Sequence, residues 1–222
     1  HFRSYYPIIQ FSNQEFYGNR IRIMTKDSGS NDVLELHLVT DGKVDSDATR
    51  NMPEVEAVVK RIHELILQDE GNEDNPVSIG VVSPFRGQVD LIGKALRQVL
   101  TESTIRRHQI EVGTAHTFQG DERDVMIFSL AVADNSFAQS LTFLQKPNLF
   151  NVAITRARKK LITFLSRDPK SLPAGLLKDY IEYTQNYIES AKEDEFSSKN
   201  KFKNSFEQTV AQALIMEGLE VK

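Results

Sequence analysis

The segment FNVAITRARKK, residues 150–160, places four basic side chains beside a short apolar run. It contains no acidic residue, which raises the question of what Arg156 and Arg158 contact. A guanidinium is planar and always charged, and it donates paired hydrogen bonds to carboxylates and phosphates. Two interpretations are open at this point: an arginine that binds a phosphate, or the solvated basic face of a helix.

Helical spacing over residues 149–161 would place their apolar side chains on one stripe that faces the core. We therefore predict a helix here, with Arg156 pointing outward. Arg158 lies about 200° further round such a helix, so the two arginines cannot serve one ligand atom. One can bind a phosphate while the other pairs elsewhere. Lys159 and Lys160 are predicted to form a solvated face or to complement the helix dipole.

Polar residues also follow other predicted strands. GTAHTFQGDERDVMIF, residues 113–128, contains a loop of histidine, glutamine, glycine and acidic residues, and VVSPFRGQVDLI, residues 81–92, ends a strand and begins a helix. Open α/β sheets bind ligands at the carboxyl ends of parallel strands, so we expect both loops there. The free N–H groups of a helix N-terminus can also bind phosphate. HFRSYYPIIQ carries Arg3 before a helix predicted to start near Pro7.

These segments belong to an alternating pattern of strands and helices. Short, almost continuous apolar runs predict strands at residues 33–39, 77–83, 110–115, 124–132 and 160–166. Apolar residues at helical spacing predict helices at residues 53–67, 87–100 and 174–188. Residues 137–144 are predicted to form a loop. The alternation indicates an α/β fold with a parallel sheet covered by helices on both faces.

Composition narrows the class of protein. A length of 222 residues allows one substantial α/β domain with an appendage. The net charge of −4 argues against a protein that coats nucleic acid non-specifically, but it permits a narrow basic groove. The absence of cysteine excludes disulfides, thiol catalysis and cysteine-ligated metals.

The N-terminus lacks the order of a signal peptide, and no apolar run is long enough to span a membrane. We therefore expect an intracellular, cytoplasmic protein. The chain begins without methionine, so we also expect a fragment of a longer protein. We expect this fragment to be monomeric.

Three familiar motifs are absent from the sequence. It contains no G-x-x-x-x-G-K-[ST] phosphate loop, no G-x-S-x-G nucleophile elbow and no G-x-G-x-x-G dinucleotide fingerprint. An α/β domain that hydrolyses nucleoside triphosphates usually holds phosphate with the first of these. We therefore do not expect this chain alone to be a complete enzyme.

Four segments resemble, in their order, the second RecA-like motor domain of superfamily 1 DNA and RNA helicases. The residues that carry the resemblance are FRSYYP, SPFRGQ, TAHTFQGDE and LFNVAITRAR. The branch they resemble most moves 5′-to-3′ and includes the nonsense-mediated-decay helicase. The resemblance covers about residues 1–185, and its last two motifs are highly specific. The first departs from the family's pattern, because Tyr6 stands where histidine is usual and the spacing from Arg3 to Pro7 is longer.

The resemblance implies a nucleotide site. Arg156 resembles the family's γ-phosphate arginine and Arg3 a second phosphate arginine, so both are candidate catalytic residues. A guanidinium stabilises charge spread over phosphoryl oxygens. Glu122 resembles the carboxylate that accepts a hydrogen bond from the ribose, while Gly120 and Gln119 would shape its loop. A solvated turn glutamate is the alternative for Glu122.

The resemblance also implies a groove for nucleic acid. Its candidate residues are Ser83, Pro84, Thr114, His116 and Arg86. Hydroxyl groups suit this role because they donate to phosphate without recognising sequence. Ordinary alternatives are a strand-end turn at Ser83 and Pro84, and strand propensity at Thr114. For His116 the alternative is an ordinary loop imidazole, and for Arg86 it is an ordinary surface arginine.

The function implied is the C-terminal motor half of an ATP-dependent nucleic-acid helicase or translocase, inactive when isolated. An N-terminal RecA-like domain of the same protein would supply the phosphate loop and the Mg²⁺ carboxylates for ATP. The partner would be single-stranded nucleic acid. A non-catalytic RecA-like interaction module is the alternative, although the joint presence of Glu122, Gln119 and Arg156 counts against it. A general phosphate-binding α/β domain is a third hypothesis, which the four ordered motifs disfavour.

The end of the chain predicts further organisation. We expect the motor domain over residues 1–187, a charged linker over 188–204 and a helical C-terminal extension over 205–222. NSFEQTVAQALIMEGLEVK resembles the start of an endonuclease-like domain, with Glu207 matching an early glutamate of that family. This resemblance favours DNA over RNA as the substrate. The nuclease carboxylates would lie beyond residue 222, so no cleavage is expected from this chain.

Overall fold

The computed structural model describes residues 4–25, 32–46, 49–118 and 120–193, and the structural statements below concern these residues. They form an all-parallel, five-stranded sheet in the order β1-β5-β4-β2-β3. The strands are β1 (Leu34–Leu38), β2 (Ile79–Val82), β3 (Glu111–Gly113), β4 (Arg123–Ala133) and β5 (Ala157–Ser166). The helices are α1 (Tyr6–Tyr17), α2 (Met52–Gln68), α3 (Arg86–Val99), α4 (Glu102–Arg107), α5 (Ala138–Phe143), α6 (Pro147–Thr155) and α7 (176–193), with a 3-10 turn at Pro169–Ser171. The predicted α/β fold is confirmed.

Helices cover the sheet on both faces, each through its own apolar core. On one face, α2 and α3 pack against alternate strand residues that include Ile127 and Ile162. On the other face, α1, α6 and α7 pack around Phe128, Phe150 and Tyr180. β4 is buried along its whole length, which is typical of a central strand covered on both sides.

The sequence located most of the long elements correctly. α2 and α3 lie close to their predicted bounds, and the Asn51 side chain caps α2 by accepting a hydrogen bond from the Glu54 N–H at 3.3 Å. α5 lies where a loop was predicted, and α4 was not predicted. α7 continues to residue 193, so the start of the predicted linker is helical. The rest of that linker and the predicted extension over 205–222, with Glu207, lie outside the described residues.

The predicted helix over residues 149–161 is wrong in its second half. α6 ends at Thr155, and β5 begins at Ala157. The Arg156 carbonyl accepts a hydrogen bond from the Arg123 N–H at 3.0 Å, so this carbonyl belongs to the sheet and not to a continuing helix. Strand pairing in the buried centre of the sheet therefore overrides the local helical spacing.

The lysines after Arg158 consequently lie on a strand and not on a solvated helix face. Lys160 forms ion pairs with Asp32 and Glu35, and its side chain is largely buried. Lys159 forms an ion pair with Asp124 at 3.1 Å. The predicted helix-dipole role is wrong for both lysines, because they lie on β5. The predicted solvated face is wrong for Lys160, whereas the Lys159 side chain is half exposed.

A buried polar network joins α2 and α3 to β4 and to the end of β5. The Glu54 carboxylate accepts hydrogen bonds from Ser129 Oγ at 2.7 Å, Ala131 N at 2.8 Å and Ser166 Oγ at 2.7 Å. Gln88, in the first turn of α3, donates to Ser129 Oγ at 3.1 Å. Burial raises the pKa of Glu54 to about 7, although the hydrogen bonds from Ser166 and Ser129 favour the charged form.

The variant Glu54→Gln tests this raised pKa. The folded domain keeps a proton that the unfolded chain releases near the ordinary pKa of 4.5. The associated stability is therefore present below pH 4.5 and is lost as the pH rises through about 7. Relative to Glu54→Gln, we expect the free energy of unfolding of the wild type to fall by on the order of 3 kcal/mol over this range. Chemical denaturation at several pH values measures the difference, and parallel pH profiles for the two proteins would contradict the raised pKa.

Candidate functional site

The predicted site residues lie at two opposite edges of the sheet. Ser83 follows β2 and Thr114 follows β3, so both lie at the carboxyl edge. Glu122 directly precedes β4 and Arg156 directly precedes β5, so both lie at the amino edge. The prediction that the whole loop after β3 lies at the carboxyl edge is therefore wrong for Gly120 and Glu122. The loop must return to the amino edge, because the next strand is parallel to β3.

Strand pairing fixes Glu122 and Arg156 beside each other. Arg123 is the register partner of Ala157 across β4 and β5. The Arg123 N–H donates to the Arg156 carbonyl at 3.0 Å. Glu122 and Arg156 therefore each lie one position before the first paired residue of their strand.

The N-terminal segment reaches the same edge. The register between β4 and β5 shifts after Ala157, which marks a bulge that includes Arg158. The Arg158 carbonyl accepts a hydrogen bond from the Tyr5 N–H at 2.9 Å, so residues 4 and 5 are held against this end of β5. Arg3, which comes just before them, lies outside the described residues, as does Gln119 of the loop.

The backbone conformation of the loop requires its glycine. Gly120 has a φ of 93°, which L side chains rarely adopt. A Cβ at this position would meet no atom within 4 Å, so space is not the constraint. Phe118, two positions earlier, is fully buried, and its carbonyl accepts a hydrogen bond from the Asp121 N–H at 3.2 Å. The loop is therefore a fixed turn around Gly120.

Arg123 is a residue of the site that the sequence analysis missed. Its guanidinium donates to Asp121 Oδ1 at 2.9 Å and to Glu111 Oε2 at 2.7 Å. It also donates to the carbonyl oxygens of Glu122 and Gln109, each at 3.0 Å. Its hydrogen bond to Asp121 lowers the pKa of that carboxyl. The available signal was a pair of charged residues, Arg123 and Asp124, at the start of a strand that is apolar over most of its length.

The Arg156 side chain faces a cleft of about 670 Å³ that Pro84, Thr114 and His116 also line. Its Nε is buried and has no hydrogen-bond partner among the described residues. A buried donor without a partner costs about 1–3 kcal/mol, and a phosphate oxygen is a suitable acceptor. Arg156 therefore fits the anionic ligand predicted for it, and the cleft connects it to three of the candidate nucleic-acid residues.

Ser83 is placed differently from the other candidates at the carboxyl edge. Its side chain is fully buried, and its hydroxyl accepts a hydrogen bond from the Phe85 N–H at 3.4 Å. The geometry thus favours the strand-end turn, which was the alternative interpretation of this serine. Pro84, Thr114 and His116 lie on the cleft, while Arg86 is exposed at the start of α3.

The opposite wall of the cleft comes from the end of α5 and from α6. Phe143, Lys146 and Asn148 line it, and the Lys146 ammonium lies 4.5 Å from the centroid of the Phe143 ring. Residues 137–144 were predicted to form a loop, and none of them was among the candidate site residues. An aromatic and a basic residue just before the arginine-bearing segment were the signal that could have indicated this wall.

In the described part of the chain, no cluster of three or more histidine, aspartate or glutamate side chains could hold a metal ion. None of the helices in the same ranges has the length and apolar character needed to cross a membrane.

A family match and helicase relatives identify this α/β domain as a RecA-like motor domain of the helicase type. A family model described as AAA domain matches residues 1–168, and the chain belongs to this family. The resemblance to the second motor domain of superfamily 1 helicases is confirmed by this match together with helicase relatives. The resemblance of the last residues to an endonuclease-like domain stays a prediction.

The relatives are much longer proteins. The putative helicase MOV-10 of Gallus gallus is 34% identical over 54% of this chain and 14% of its own length. The uncharacterized ATP-dependent helicase MG140 of Mycoplasma genitalium is 30% identical over 80% of this chain and 17% of its own length. The regulator of nonsense transcripts 1 of Dictyostelium discoideum is 37% identical over 42% of this chain and 7% of its own length. The matched regions are thus small parts of these relatives.

Substitution of Gly120 tests the conformation of the loop, and Gly71 offers a matched control. Gly71 has a φ of 94° and, like Gly120, no atom within 4 Å of an added Cβ. We expect Gly120→Ala and Gly71→Ala each to lower the free energy of unfolding by about 1 kcal/mol, because alanine is strained at this φ. Thermal or chemical denaturation measures both. Unchanged stability in Gly120→Ala alone would mean that the loop is not held in this conformation.

Proposed function

We propose that this chain is the second motor half of an ATP-dependent helicase or translocase that acts on single-stranded nucleic acid. The observation that carries the proposal is the pairing of β4 and β5 at their amino ends, which brings the backbones of Glu122 and Arg156 next to each other. The segment that follows Arg3 is held at the same edge through Tyr5. Two candidate nucleotide residues and the segment next to a third therefore lie at one edge.

Each candidate nucleotide residue has a role that suits its chemistry. The Arg156 guanidinium stabilises the charge that develops on the γ-phosphate of ATP during phosphoryl transfer. Arg3 provides a second positive charge to the same phosphates. The Glu122 carboxylate accepts a hydrogen bond from a ribose hydroxyl, and Gly120 and Gln119 shape the loop that presents it.

A second domain of the same protein completes the site. This chain has no glycine-rich phosphate loop, so that loop and its lysine are placed on an N-terminal RecA-like domain. The same domain holds Mg²⁺, which neutralises charge on the phosphates when ATP is bound. Arg156 contributes from across the interface, in the manner of an arginine finger.

The carboxyl edge provides half of a groove for one strand of nucleic acid. Thr114 and His116 offer polar groups to backbone phosphates, Pro84 shapes the wall between them, and Arg86 adds an exposed charge at the start of α3. Ser83 contributes by forming the turn and not by direct contact. ATP hydrolysis opens and closes the gap between the two motor domains, and this movement shifts the strand along the groove.

The choice of nucleic acid is a separate part of the proposal. The expectation of DNA over RNA rests on the resemblance of residues 205–222, which lie outside the described ranges. The relatives' names include both a DNA polymerase alpha-associated DNA helicase and regulators of nonsense transcripts. Stimulation of ATP hydrolysis by single-stranded DNA and by single-stranded RNA of the same sequence distinguishes the two.

The function is tested by ATP hydrolysis of the full-length protein with Arg156→Ala. We expect single-stranded nucleic acid to stimulate the wild-type rate and Arg156→Ala to lower the stimulated rate by about 100-fold or more, because a phosphate contact made in the transition state is lost. Arg158→Ala is the matched control, since this arginine is exposed two positions later and only its carbonyl makes an anchoring contact.

The result also separates the motor from the non-catalytic interaction module. A full-length protein that does not hydrolyse ATP, or an Arg156→Ala variant that is as active as Arg158→Ala, would contradict the motor function. In either case the interaction module becomes the better account of the motif residues at the two edges.

A further inference from the structure

One buried guanidinium joins the start of β3 to the end of the loop that precedes β4. Arg123 donates to Gln109 O and Glu111 Oε2 on the β3 side, at 3.0 and 2.7 Å. It donates to Asp121 Oδ1 and Glu122 O on the β4 side, at 2.9 and 3.0 Å. Its side chain is only 9% exposed. Four acceptors from two parts of the chain thus converge on one planar group.

The aliphatic part of the Arg123 side chain is as firmly placed as its guanidinium. A Cβ on Gly80 of β2 would lie 3.0 Å from Arg123 Cγ and 3.0 Å from the ring of Phe118. The two buried side chains that border the loop therefore both lie over Gly80, where no side chain separates them from the strand. Close packing against the strand leaves the guanidinium little freedom to adopt another orientation.

We propose that Arg123 is the positioning residue of the nucleotide loop. It fixes the Glu122 carbonyl and the Asp121 carboxylate, and so aims the Glu122 side chain at the ligand, although Arg123 itself does not contact that ligand. This inference rests on the proposed function, because it assigns Glu122 to nucleotide binding. Arginine is suited to the role, since its fixed fork of donors can satisfy several acceptors at once.

A matched arginine on another element separates positioning from general stability. Arg61 of α2 is 10% exposed and donates to Glu35 at 2.8 and 3.1 Å and to Glu64 at 3.3 Å. It is a comparably buried, multiply paired arginine, but none of its partners belongs to the loop. Lysine at either position keeps the positive charge but lacks the planar set of N–H donors of a guanidinium. Arg123→Lys and Arg61→Lys are therefore equivalent changes in chemistry.

The experiment measures binding of a fluorescent, non-hydrolysable ATP analogue to the full-length protein, together with thermal unfolding. We expect both lysine variants to lower thermal stability and only Arg123→Lys to weaken analogue binding, by about tenfold, as the loss of one or two ordering hydrogen bonds implies. Affinity for single-stranded DNA without nucleotide is expected to stay unchanged in both.

A second variant keeps the test decisive if Arg123→Lys does not fold. Asp121 is 54% exposed at its side chain, so Asp121→Asn removes the negative charge that pairs with Arg123 without disturbing the core. We expect it to weaken analogue binding by about threefold. If folded Arg123→Lys binds like Arg61→Lys, or Asp121→Asn binds like the wild type, the positioning role is overturned while the proposed function stands. If the wild type itself binds no analogue, the proposed function fails and this inference fails with it.

Discussion

The pairing of β4 with β5 at their amino ends is the constraint on which the site depends. The Arg123 N–H and the Arg156 carbonyl are both committed to this contact, at 3.0 Å, in the buried centre of the sheet. A buried backbone group left without a partner would be costly, so the chain cannot continue α6 through Arg156. The helix ends, β5 begins, and Arg156 is left beside Glu122. One backbone hydrogen bond thus connects the fold to the placement of both side chains.

The parallel sheet then separates two tasks. Loops after β2 and β3 lie at the carboxyl edge, and the residues before β4 and β5 lie at the amino edge. The segment from Thr114 to Glu122 crosses between these edges, and the cleft lined by Thr114 and Arg156 runs between them as well. A motor that links nucleotide chemistry to movement of a strand needs contacts of both kinds on one rigid unit. The described domain carries candidate residues of both kinds at these edges, and Arg123 ties the end of the crossing segment to the start of β3.

The sequence was informative wherever burial determined local pattern. Continuous apolar runs identified the strands, and helical spacing identified α2, α3 and α7, because both signals follow directly from which faces are covered. The end of α6 could not be found in this way, since TRARKK is compatible with a helix and only the contact with β4 decides against it. The ion pairs of Lys160 with Asp32 and Glu35 join distant segments and were likewise outside the reach of spacing arguments.

The same distinction applies to the site. The sequence identified the motif residues around Gly120 and Arg156 as candidates because their types and order are specific. It could not identify the edge of the sheet at which they lie, because the position of the loop depends on how the chain returns to the start of β4. Arg123 was missed because its four acceptors are visible only in three dimensions. Ser83 shows the opposite case, in which a residue type suited to phosphate contact is fully buried in a turn.

The most direct test of the account is a structure of the full-length protein with ADP, aluminium fluoride and single-stranded nucleic acid. We expect the Arg156 guanidinium at hydrogen-bond distance, about 3 Å, from the fluoride group that stands in for the transferred phosphate. We also expect the Glu122 carboxylate on the ribose and the nucleic-acid strand at the opposite edge, beside Thr114 and His116. A nucleotide bound at the carboxyl edge, or an Arg156 that faces solvent in that complex, would contradict it.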